Sequence, residues 1–112
     1  MPKYMVLFSA DKSAKESMAE ASMDDMKASI AQWLDWQAHA RPALSVEFGL
    51  SLQPVMKITS IGSAESTSKV SGYAFVEGAS QAIIKDEMKT HPHLAREGAS
   101  LDVFEMISMP GL

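Results

Sequence analysis

The sequence contains no cysteine. That excludes a disulfide framework, a thiolate nucleophile and every zinc or iron–sulfur pattern built on Cys, and leaves packing to stabilise the fold. A basic cluster is also missing. Ten Lys plus Arg stand against fourteen Asp plus Glu, for a net charge of −4, so nothing is expected to neutralise a run of phosphates and nucleic acid is not an expected partner. Long apolar runs are scarce: the N-terminal one, Tyr4 to Phe8, has five residues, against about 7–15 for the core of a signal peptide and about 20 for a membrane span. The expectation is a cytoplasmic protein without membrane contact. There is no Gly-rich phosphate loop, nucleophile elbow, His-Glu-x-x-His or Ca²⁺ loop, which removes the usual nucleotide, hydrolase and metalloprotease readings.

What is present suffices for one domain spanning residues 1–112, since 112 residues with 46% apolar side chains match the usual domain size of roughly 100 to 150. Residues 3–9 are apolar on both alternating sets, as in a central strand covered on both faces. Ser22 ahead of Met23-Asp24-Asp25 is a helix N-cap with carboxylates in the first turn. The helix that follows carries Met23, Met26, Ile30, Trp33, Leu34 and Trp36 as an inward stripe and stops at Arg41-Pro42. Leu44, Val46, Phe48 and Leu50 alternate with polar residues, the period of a half-buried strand. Pro54 precedes an edge or hairpin strand over 55–61, and a further strand covers 69–77. Gly78-Ala79-Ser80 opens a second helix with Ile83, Ile84 and Met88 inward, and 101–108 forms the last strand. Two stretches, 11–21 and 62–69, read as surface loops. The order predicts an α+β fold, a ferredoxin-like βαββαβ sandwich with an extra hairpin strand.

In that arrangement both helices pack on one face of the sheet. The first and last strands carry bulky apolar residues on both alternating sets, so the other face is apolar too and larger than monomers usually expose. A symmetric homodimer with facing sheets is predicted. Nine methionines fit adaptable packing surfaces: Met23, Met26 and Met88 are expected in the core, and Met106, on the alternating set shared with Asp102, near the dimer interior.

The candidate chemistry is local. His91-Pro92-His93-Leu94 places two imidazoles two residues apart, either as ligands or an acid–base pair, or with one capping the preceding helix and the other solvated. Two His supply half a metal coordination sphere, and the rest would have to come from His39, Asp102 or Glu105; no metal and no cofactor are expected. Asp102, Glu105 and Glu47 are carboxylates within strands, fit to serve as a general base in a pocket or to end at a solvated rim. Tyr73 could donate a hydrogen bond to a bound carbonyl or lie in the core with its hydroxyl at the edge.

Tyr4-Met5-Val6-Leu7, Trp33-Leu34-Asp35-Trp36, Gly72-Tyr73-Ala74-Phe75-Val76-Glu77 and His91-Pro92-His93-Leu94 followed by Gly98-Ala99-Ser100-Leu101-Asp102-Val103 resemble the YciI-like (YCII-related) proteins over nearly the whole chain. The resemblance implies a dimeric α/β barrel in which two ferredoxin-like sheets enclose a shared interior. A His and Asp pair is suggested as catalytic in some members; the resemblance places His91 at the family's His-Pro position and Asp102, a shorter carboxylate, where the family has a strand Glu. The family's Asp-Gly-Pro turn is absent; Ser63 to Lys69 stand in its place. Two functions follow. One is a small enzyme acting by His/carboxylate acid–base chemistry on a small organic molecule in the barrel cleft, with His91 and Asp102 catalytic and His93, Tyr73, Glu105 and Met106 binding. The other is a non-catalytic small-ligand-binding or regulatory module.

Overall fold

The computed structural model describes residues 1–111. Six strands and three helices follow one another as β1 (Lys3–Ser9), α1 (Ala14–Glu20), α2 (Met23–Ala40), β2 (Leu44–Ser51), β3 (Met56–Thr59), β4 (Gly62–Glu65), β5 (Val70–Gly78), α3 (Gln81–Met88) and β6 (Ser100–Glu105), with a 3-10 turn at Pro92–Ala95 before β6. Four strands form one antiparallel sheet in the order β2-β5-β1-β6, and β3 and β4 form a separate hairpin. The architecture is α+β.

The pleat decides which residues meet the helices. Val6 lies opposite Ala74 on β5 and Val103 on β6, and Phe8 opposite Gly72 and Leu101. Tyr4, Val6, Phe8, Leu44, Ala74 and Val76 pack with Trp36 and Ala40 of α2 and Ile84 and Met88 of α3. Both longer helices therefore cover one face. Trp36 locks them together by donating its indole N–H to the Glu87 carbonyl and the Thr90 hydroxyl at the end of α3 (3.3 and 3.1 Å).

Several expectations are revised. Residues 11–21 are not a loop: Ser13 accepts from Glu16 N–H while the Glu16 carboxylate reaches back to Ser13 N–H, a capping box that starts α1. Within 62–69, Gly62–Glu65 is a strand, because Met56 to Thr59 pair with it in register. The α2 stripe is also rotated. Trp36 and Ala40 are buried, whereas Met23, Ile30 and Leu34 are more than half exposed. The indoles of Trp33 and Trp36 fill the gap between helix and sheet and so set the helix's roll. Met23 is thus a surface residue, while Met88 is core as expected and Met26 is half-buried.

The opposite face carries Met5, Leu7, Tyr73, Phe75, Phe104 and Met106, with Asp102, Glu47 and Glu77 among them. Phe104 is 52% and Met106 41% exposed. All eight residues of the β3–β4 hairpin are exposed as well. The chain has a radius of gyration of 15.7 Å and a thinnest dimension of 20 Å, against roughly 13 Å for the radius of a compact domain of this length. It is a slab with one covered face and a projecting arm. Among the described residues no helix is long and apolar enough to cross a membrane.

Candidate functional site

The 3-10 turn after α3 carries the two histidines. Pro92 at its first position suits a turn start, and the His91 backbone N–H donates to Met88 O (3.0 Å), capping α3. Both imidazoles turn inward. His91 is 2% and His93 1% exposed, so neither is the solvated member of a cap. The reason is aromatic: His91 sits among Trp33 and Trp36, both with ring centroids at 4.5 Å, and Phe8 at 5.1 Å.

Burial sets the protonation. Desolvation, aided by the neighbouring His93, lowers the pKa of His91 to about 4. At neutral pH the ring is therefore uncharged. Its Nδ1 accepts the His93 backbone N–H at 3.0 Å, which leaves the proton on Nε2. Among the described residues that Nε2 is buried without a hydrogen-bond partner. His93 has a different partner: its Nε2 donates to Ser9 O at 2.7 Å, at the end of β1. Its pKa is lowered by desolvation, opposed by the Ser9 carbonyl and reinforced by the Arg96 charge.

Apart from Tyr73, the remaining candidates are dispersed. Asp102 lies opposite Leu7 on the open face of the sheet, while His91 packs on Phe8 beneath the helices. One chain thus does not bring them together, and no carboxylate is among the groups that perturb His91. Tyr73 stands on the open-face set, its ring 5.7 Å from Phe75, yet it also borders the small cavity that His93 lines, so these two predicted binding residues meet at one site. Tyr73 lies directly over Gly49, where a Cβ would come within 2.2 Å of the Tyr73 ring. Met106 joins Lys3, Glu47, Phe75 and Glu77 around a shallow cavity of about 200 Å³ on that face. Glu105 stands at the rim of a groove of about 540 Å³ between α3 and β6, floored by Tyr4, Ile84, Met88 and Val103. Lys85, Lys89 and Glu105 are the charged residues in its lining. No group of three or more His, Asp or Glu that could hold a metal occurs among the described residues.

A different cleft adjoins the histidines. A small cavity of about 130 Å³ is bounded by Phe8, Trp33, Ser51, Ser71, His93 and Arg96. Ala14, Trp33, Ser51 and Arg96 also line a wider groove of about 630 Å³ between α1 and α2, where Met18, Met26 and Ile30 supply apolar walls. Arg96 is the residue that the sequence reading missed. Residues three apart eclipse in a 3-10 turn, so the spacing from His93 to Arg96 carried a usable signal. The Arg96 guanidinium donates to the Ser17 hydroxyl of α1, and makes no ion pair among the described residues.

Comparison with family models, curated proteins and solved structures yields no match. The functional reading therefore rests on the geometry.

Proposed function

We propose that the protein is a non-catalytic, small-ligand-binding module of YciI-like type that works as a homodimer. The observation that carries this reading is the contrast between the two imidazoles, both taken up by the core, and the adjoining cleft, whose wider part has Met18, Met26, Ile30 and Trp33 in its lining and which shares Arg96 with the inner cavity. Apolar concavities with a few polar groups are the usual form of small-molecule sites. An acid–base enzyme built on His91 is less well supported. A base of pKa about 4 is a weak proton acceptor near neutrality, and Asp102 lies on the other face of the sheet.

The strand order β2-β5-β1-β6, with the β3–β4 hairpin apart from it, supports a ferredoxin-like sandwich with the hairpin inserted between its second and third strands. The dimeric barrel is supported by area. The chain exposes 7976 Å², whereas a folded monomer of 12.2 kDa is expected to expose roughly 6,000 Å². The excess is larger than the roughly 800 Å² per partner of a standard interface. Met5, Leu7, Phe75, Phe104 and Met106 on the open face are the surface a second sheet would cover.

Thermal-shift screening of the intact protein against small organic molecules, followed by turnover assays on whatever stabilises it, tests the function. Stabilisation with the ligand recovered unchanged is the expected result. Turnover abolished by His91→Asn, in a protein that still binds, would replace this reading with the enzymatic one.

A further inference from the structure

Resting on the binding reading above, we infer that the ligand class is a monocarboxylate with an apolar tail, its head group held by Arg96 and its tail lying along Trp33, Met26 and Ile30. The groove between α1 and α2 is bordered by Lys12, Glu20, Asp25 and Arg96. Lys12 and Glu20 are paired with each other. The Asp25 carboxylate accepts the Ser22 backbone N–H at 3.2 Å as part of the α2 capping box. Arg96 is the one cation of the four without a charged partner among the described residues; its contact is the neutral Ser17 hydroxyl, whereas the Asp25 carboxylate is held by its own helix cap. A guanidinium offers five N–H donors in a planar fork, and one neutral acceptor uses few of them. A carboxylate accepts two in parallel, the geometry in which Arg exceeds Lys.

Position supplies the second step. Arg96 borders both the inner cavity and the wider groove, so a head group seated on it has its tail directed over the groove's apolar wall. Met18, Met26, Ile30 and Trp33 line that wall, and methionine adapts to tails of varied shape. Ile30 is 60% and Met18 50% exposed, so apolar surface remains for a tail to cover. His93 contributes no competing positive charge, since burial keeps its ring neutral and its Nε2–H is committed to Ser9 O.

The test compares octanoate, octanol and octylamine binding to the full-length protein at neutral pH by isothermal titration, for wild type, Arg96→Gln and Arg96→Lys. Octanoate is expected to bind wild type at least tenfold more tightly than octanol. Arg96→Gln should lose at least that factor for octanoate while leaving octanol unchanged, which also certifies that the variant is folded. Arg96→Lys, with the charge but not the fork, should fall between. Octanoate and octanol binding equally, or octanoate binding surviving Arg96→Gln, overturns the carboxylate assignment and leaves the cleft reading standing. If none of the three binds wild type, the cleft reading fails with it.

Discussion

The backbone N–H of His93 donates to Nδ1 of His91 at 3.0 Å, and through that bond the turn that carries both histidines dictates the tautomer of the first. With Nδ1 occupied, His91 is an aromatic filler between α2 and the sheet with its proton on Nε2. The lowered pKa, about 4, follows from burial rather than from a catalytic partner.

This makes stability depend on pH in a definite direction. Between about pH 4 and the unfolded value of 6.5 the unfolded chain binds a proton at His91 that the folded chain does not. Stability therefore falls as pH drops through that window, and His93, also lowered, acts in the same sense. After allowance for solvent screening the loss is on the order of 2 kcal/mol. Urea unfolding at pH 7.0 and 5.0 should show it in wild type and show less of it in His91→Phe. An identical pH dependence in both proteins would mean that His91 is not the group responsible.

The open sheet face should govern association. Phe104→Glu places a charge beside Met5, its neighbour on β1, where facing sheets would meet. Sedimentation should give a dimer for wild type and the 12.2 kDa species for the variant. A wild-type monomer at micromolar concentration would remove the barrel from the account.

Truncations separate core from arm. Ile84 is 2% exposed in the shared core and Ile61 is 96% exposed at the hairpin tip. Ile84→Ala should cost about 2–5 kcal/mol and Ile61→Ala less than about 0.5 kcal/mol within the chain itself, both read from denaturant midpoints. A comparable cost at Ile61 would show that the arm is packed in the dimer.

The start of α2 gives a local test. Ser22 and Asp25 satisfy each other's backbone N–H groups at 3.1 and 3.2 Å. Ser22→Ala should cost about 1 kcal/mol, and Ser22→Asn should retain most of that stability. Equal loss in both would point to a role for Ser22 other than capping.

Much of the fold was legible because its signals are local. The apolar run of β1, the two-residue period of β2, the Ser22 cap and the stop at Arg41-Pro42 each report on one element, and the structure places those elements there. The roll of α2 was not legible. Met23, Ile30 and Leu34 fall on the same broad stripe as Trp33 and Trp36, and which edge turns inward depends on how two indoles fit between helix and sheet. The short α1 escaped because its only strong signal is the Ser13–Glu16 capping box. The histidines were legible as a pair but not in their environment, since burial comes from aromatic rings far away in the sequence. The three-residue spacing from His93 was the one local hint of Arg96; its bond to Ser17 of α1 and its place in the cleft beside Trp33 depend on residues far away in the sequence.

Histidine NMR across pH 3.5 to 8 tests the central claim most directly, because it reads the tautomer and the protonation of His91 in the folded protein. The account predicts a neutral ring with its proton on Nε2 throughout the neutral range, titrating only near pH 4. An imidazole that titrates near 6.5, or that carries its proton on Nδ1, would contradict it and return His91 to the acid–base chemistry denied to it here.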